Sequence, residues 1–359
     1  MKGILTPKWV SFFVVLLMLI GLYFEGTHDT TAMILSLVLA MWLAIALHEL
    51  GHIVFGKLSG FEFFFYIVGP IQIEKYTNGI QLKENKNWLF FGGVSMMTPP
   101  IQISKETIIK KWSMFAAGGP FLSLLLGTIS YILYEQFSYV FLIYFAIMNG
   151  AIFLATILPI KTSRTDGYVL LSLLKNNDES TKLIENLLIG RELLSKRIPT
   201  EWDYEFIQLA KGKVASIEHL QYAMMVYYFE NEKNGFQSAV KAMTEYSKIP
   251  VTKKNKFELA FLIHMQQLSH FLQDDVQVEQ IEHCQTFLTS IEPVSFYRGK
   301  AMVAYLQNDK DVALKHIKKV KKIIEQNEAL YGFFKVEKTL TKLVEEKISN
   351  NDKRKEAVN

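Results

Sequence analysis

The chain has 359 residues, of which 50% are hydrophobic and 13% aromatic, with a formal net charge of +4. Residues 1–175 hold 12 Lys+Arg against 9 Asp+Glu, and residues 176–359 hold 27 against 26. Neither half has the basic excess that nucleic acid demands. A single cysteine, Cys284, excludes an intramolecular disulfide and a cysteine zinc ribbon, so any metal site must use His, Asp or Glu; Cys284 itself reads as a small buried hydrophobe.

Met1 to Pro7 is short and basic. Trp9 to Phe24 is a first apolar run without a following small-x-small cleavage site, and is read as a retained transmembrane helix. After the polar connector Glu25 to Thr30, a second span begins at Thr31 and ends near Gly60. Residues 57–111 are mixed and carry seven lysines. Within them, Phe61, Phe63 and Phe65 alternate with other side chains, and Ile71 to Lys83 flanks Asn78-Gly79, a hairpin signal because a tight two-residue turn needs positive φ. A small sheet beside the second span is expected.

Trp112 to Tyr134 and Phe137 to Ile160 are two further uncharged runs, each long enough for a hydrocarbon core that takes roughly 20 residues to cross. The connectors 25–30 and 135–136 lack Lys and Arg, whereas 57–111 and the stretch after Ile160 are lysine-bearing. The positive-inside rule then predicts four spans with both termini cytoplasmic.

From Asn176 onward charges recur every few residues and apolar residues keep helical spacing in eight segments between Thr181 and Ile348. Tyr228 to Lys233 is similar to Tyr305 to Lys310, 77 residues on, a little over two tetratricopeptide lengths of roughly 34 residues. The expected fold class is therefore all-α. A polytopic membrane domain of about four spans with a small β-hairpin insertion (1–175) precedes a cytoplasmic, tetratricopeptide-like helical domain (176–349) and a flexible tail (350–359).

At the inner end of the second span stands His48-Glu49-Leu50-Gly51-His52. Imidazoles four residues apart share one helix face and can hold one metal ion, and the intervening glutamate can act as general base. Ionisable side chains inside a span are costly and point to function. Catalytic zinc takes three protein ligands and an open position. The third must reach the same membrane depth, and Asp166, just past the end of the fourth span, is placed to do so. Asp166 also suits the N-cap of a helix that Asp-Gly-Tyr-Val opens.

Three motifs resemble the site-two protease family of intramembrane zinc metalloproteases: His48 to His52, Ala117-Gly118-Gly119-Pro120, and Leu158-Pro159 followed by Asp166-Gly167. The resemblance spans roughly residues 31–175. It implies Zn²⁺ held by His48, His52 and Asp166, with Glu49 as catalytic base. Where the family commonly has an asparagine thought to stabilise the oxyanion, this chain has Thr156, which can donate a hydroxyl, and Asn149 lies two turns away on the same helix face.

The implied activity is hydrolysis of a peptide bond in a membrane-embedded or membrane-adjacent substrate near the cytoplasmic face. An extended substrate stretch is expected to pair with the sheet around residues 61–83. The helical domain would recruit a protein partner, and Lys315, Lys318, Lys319, Lys321 and Lys322 suit anionic lipid of a bacterial plasma membrane. The alternatives are an inactive membrane-anchored adaptor and, more weakly, a metal transporter or sensor, for which the spans carry few ligands.

Overall fold

The computed structural model describes residues 6–76, 79–100, 103 and 105–356, and divides into two compact units, Met1–Leu188 and Ile189–Asn359. Four long helices dominate the first: α1 (Pro7–Tyr23), α2 (His28–Leu58), α3 (Lys105–Phe137) and α4 (Val140–Ile157). Of these, α2, α3 and α4 are long and apolar enough to cross a membrane. At 1.5 Å per residue the 17 residues of α1 reach about 26 Å, short of a hydrocarbon core of about 30 Å. Three candidate spans are therefore seen among the described residues where four are expected. The link between α3 and α4 also shifts: α3 runs through Glu135 and Gln136 to Phe137, and the chain turns at Ser138, whose φ is +54°.

Between α2 and α3 lies an antiparallel sheet of β1 (Glu62–Val68), β2 (Ile71–Tyr76), β3 (Gly79–Glu84) and β4 (Val94–Thr98), in the spatial order β3-β2-β1-β4. The expected hairpin is β2–β3. Tyr76 pairs with Gly79, so Gly79 opens β3 instead of completing the turn, and Asn78 lies outside the described residues. The fourth strand was not expected. β4 pairs with β1 through a bulge at Phe63/Phe65, where two residues of β1 advance against one of β4. Because β1 and β2 are internal, the stretch 61–83 offers a free edge only along β3; the other free edge belongs to β4.

One face of the sheet packs Phe61, Phe63 and Met97 with Ile53 and Phe115. Tyr66 Oη donates to the carbonyl of Ala46, tying β1 to the helix turn that precedes His48 (2.8 Å). On the other side of α2, Ala40 and Ala44 meet Phe145 of α4. At their crossing, α2 and α3 touch backbone to backbone: a Cβ on Gly51 would stand 2.4 Å from the Gly118 carbonyl oxygen, and one on Gly118 2.5 Å from that of Gly51. Small residues permit such an approach within a membrane.

Beyond α4, α5 (Asp166–Lys175) buries Leu173 against Ile108 and Ile184. The second unit is helical: α6 (Asp178–Leu193) leads into it, followed by α7 (Tyr204–Lys211), α8 (Leu220–Asn234), α9 (Phe236–Ala242), α10 (Ala260–Leu272), α11 (Val278–Phe287), α12 (Pro293–Leu306), α13 (Lys310–Asn327) and α14 (Phe334–Glu356). Each of the eight expected segments holds a helix. α7 was not expected, and α14 continues to Glu356, into the stretch anticipated as a tail. On α13 the apolar residues Ala313, Ile317, Val320 and Ile324 are buried, which leaves Lys315, Lys318 and Lys322 on the outer side.

Candidate active site

His48 and His52 sit one turn apart on α2, buried, their ring centroids 5.0 Å apart at 85°. Asp166, the first residue of α5, approaches both: its Oδ2 is 3.4 Å from His48 Nε2 and 3.4 Å from His52 Nε2. The three donor atoms form the one His/Cys/Asp/Glu group among the described residues that is close enough to share an ion. A tetrahedral ion with bonds of about 2.05 Å sets its ligands about 3.3 Å apart, so the spacing suits zinc, as does a donor set of two imidazoles and a carboxylate.

The far nitrogens of the two rings are held. His52 Nδ1 donates to the carbonyl of Phe115 at 2.9 Å, which leaves Nε2 as the lone-pair nitrogen facing Asp166. His48 Nδ1 lies 3.0 Å from Ser123 Oγ. Phe115 and Ser123 are two turns apart on α3, so that helix orients both imidazoles, as outer-shell partners of metal ligands do. Between them, Gly119 keeps space open. A Cβ there would stand 2.4 Å from His52 Nε2 and 2.7 Å from His48 Nε2, inside the volume an ion would take. The residues fit zinc in donor chemistry, tautomer and room.

Asp166 is not the helix cap. Thr165 is the N-cap: its Oγ1 accepts from Tyr168 N at 3.4 Å, and it also donates to the Leu158 carbonyl at 2.5 Å. The loop after Pro159 is thereby closed onto the end of α4. Gly167 follows because a Cβ would fall 1.8 Å from the Ile157 carbonyl oxygen. Asp166 is set by these contacts and its carboxylate is left to face the histidines.

Glu49, half-buried, is held from the sheet: Ser95 Oγ on β4 donates to its Oε2 at 2.7 Å. Burial, and then the Glu49 carboxylate, push the Tyr66 phenol up to about 12, so that side chain stays a neutral donor. Thr156 and Asn149 are occupied elsewhere. Thr156 Oγ1 donates to the Ile152 carbonyl of its own helix (3.0 Å), as Asn149 Nδ2 does to that of Phe145 (2.9 Å), while Asn149 Oδ1 is buried without a hydrogen-bond partner among the described residues. The positions that escaped the sequence are Ser95, Phe115 and Ser123. A serine at an unrecognised strand and a backbone carbonyl carry no spacing signal; Ser123 lies four residues after Gly119 on one face of α3, a weak cue.

The family model described as Peptidase family M50 matches residues 36–341. The chain belongs to peptidase family M50. That is the family of the site-two proteases, and its members are zinc-dependent membrane metalloproteases. The M50 match continues through most of the helical unit, beyond the stretch 31–175 that carries the motifs. No curated protein and no solved structure gives a significant match to the chain. Family membership together with three apolar helices makes this an integral membrane protein.

Proposed function

We propose that this M50 member is an active intramembrane zinc endopeptidase that cuts a membrane-embedded or membrane-adjacent polypeptide near the cytoplasmic face. The observation that carries it is the convergence of His48 Nε2, His52 Nε2 and Asp166 Oδ2 next to Glu49. Zinc, when bound there, supplies Lewis-acid activation of water and of the peptide carbonyl. Glu49 accepts a proton from the attacking water as the new C–O bond forms. It then returns a proton to the leaving nitrogen as the C–N bond breaks. Ser95 keeps one carboxylate oxygen in place and leaves Oε1 for this exchange.

A helical substrate has its carbonyls occupied, so it must be unwound at the cut. The free edge nearest Glu49 is that of β4, which carries Ser95, and pairing there would present an extended segment to the site. The lysine distribution favours a cytoplasmic face for the loop 57–111 and both termini, with α1 as a fourth span, in a bacterial plasma membrane. The tetratricopeptide-like unit would recruit the substrate or a regulatory protein.

The experiment is co-expression with candidate single-span substrates, comparing the wild-type chain with Glu49→Gln. Processing by the wild type alone is expected. Equal processing by both would leave the adaptor, not the protease.

A further inference from the structure

Arg298 is the largest side chain buried completely among the described residues. A guanidinium inside a helical core is tolerated only when its donors are matched. Here Nε donates to His264 Nε2 (2.8 Å), and Nη1 donates to the Glu337 carbonyl and to Thr341 Oγ1 (both 3.1 Å). Nη2 lies 2.7 Å from Glu337 Oε2. Tyr228 Oη donates to the other oxygen of Glu337 (2.6 Å). These bonds join α8, α10, α12 and α14, and they match the Arg298 charge with Glu337.

A second carboxylate remains. Glu292 borders the same space, a cavity of about 160 Å³, together with Glu337 and the rings of Tyr227, Tyr228, Phe261 and Phe334. Glu292 Oε2 accepts from Ser295 N at the start of α12 (2.8 Å), but Glu292 makes no ion pair among the described residues. Burial, and then the charge of Glu337, push its carboxyl above the usual range. Glu337 Oε2, in a residue only 6% exposed, is taken up by the ion pair with Arg298 Nη2. The polar cluster that ties the helices together pairs Arg298 with Glu337 and leaves Glu292 without an ion pair of its own among the described residues, in a cavity whose lining is largely aromatic but includes Arg298 and His264.

We propose that this cavity binds a primary alkylammonium group, held by Glu292 against the aromatic walls. An ammonium offers hydrogen-bond donors to the Glu292 carboxylate. Aromatic faces attract a desolvated cation. A cavity of about 150 Å³ admits a six-carbon ring, so about 160 Å³ takes the five heavy atoms of n-butylammonium or the end of a lysine side chain.

The test is calorimetric titration of the purified full-length chain in detergent with n-butylammonium chloride. Saturable binding is expected, with a Kd on the order of a millimolar or tighter. Glu292→Gln retains the oxygen that caps Ser295 N and should weaken binding at least about tenfold, with the Tm of the unliganded chain unchanged or raised. Met224→Lys, from the cavity lining, supplies a tethered ammonium; it should raise Tm and abolish butylammonium binding. No saturation in the wild type, or equal binding by Glu292→Gln, overturns the assignment. Nα-acetyl-lysine methylamide identifies the source: tighter binding than butylammonium assigns a polypeptide lysine, and weaker binding a free amine.

Discussion

Ser95 Oγ donates a 2.7 Å hydrogen bond to Glu49 Oε2, joining the edge strand of the sheet to the glutamate between the two histidines. A hydrogen bond to an ionised carboxylate contributes about 1.5–3 kcal/mol, and here it also fixes which oxygen is left for proton transfer. Ser95→Ala should therefore lower kcat by on the order of tenfold or more, with zinc content unchanged and Ser95→Thr restoring most of the rate. Single-turnover cleavage with metal analysis on the same samples checks this; loss of zinc in Ser95→Ala would assign the serine a structural part instead.

Asp166 is separable from the cap of its own helix. Because Thr165 holds the cap, Asp166→Ala should leave the folded chain intact and lower zinc affinity, whereas Thr165→Ala should cost about 1 kcal/mol of stability through the cap. Zinc stoichiometry after dialysis against a weak chelator, together with thermal unfolding, distinguishes the two variants. An Asp166→Ala chain that retains zinc as the wild type does would remove this residue from the ligand set.

Gly119→Ala should abolish zinc loading, since its methyl would occupy the space beside both Nε2 atoms. Gly150, on α4, offers a control: a Cβ there meets nothing within 4 Å, and Gly150→Ala should load normally. Metal content of the two purified variants is the measurement.

Stability of the helical unit should fall with acid. Burial, and then the Arg298 charge, hold His264 well below its ordinary value of 6.5, and the hydrogen bond that its Nδ1 donates to Gln267 Oε1 offsets this only in part. The folded state thus keeps His264 neutral while the unfolded chain takes up a proton. The stability is present above about pH 6.5 and is lost below it, by up to about 1.4 kcal/mol per pH unit. Glu292 acts in the opposite sense, since its raised carboxyl binds a proton in the folded state first; it adds stability only as pH falls through that raised value. The denaturation midpoint of the helical unit should therefore drop between pH 7 and 6, and an imidazole signal from His264 should not titrate there.

Much of this architecture is legible in the chain. The pentad is local, and helix geometry alone brings His48 and His52 onto one face. Asp166 is legible because depth in a membrane restricts which distant residues can meet the pentad. The spacing of apolar residues also marks α6 and the seven helices α8 to α14, because burial on one side enforces it.

What is missed has physical causes. Val94–Thr98 is five residues long and pairs with a strand some thirty positions earlier, so nothing local marks it, and Ser95 goes unseen with it. Gly79 is paired with Tyr76 in the β2–β3 ladder, which takes into a strand one of the two residues that the Asn-Gly signal assigns to the turn. Thr165 takes the cap from Asp166 because its hydroxyl also closes the loop onto Leu158. α7, with eight residues, is too short for its period to stand out.

The backbone contact of Gly51 with Gly118 constrains how a substrate is admitted. With no side chain between them, α2 and α3 have nothing to rotate aside. Any separation would break both imidazole anchors, at Phe115 and at Ser123. On the proposed protease reading, the two helices would form the fixed side of the site. Entry of a substrate would then be accommodated by an element that holds neither the histidines nor Glu49, such as α1, and the barrier to opening would be set by the contacts of that element.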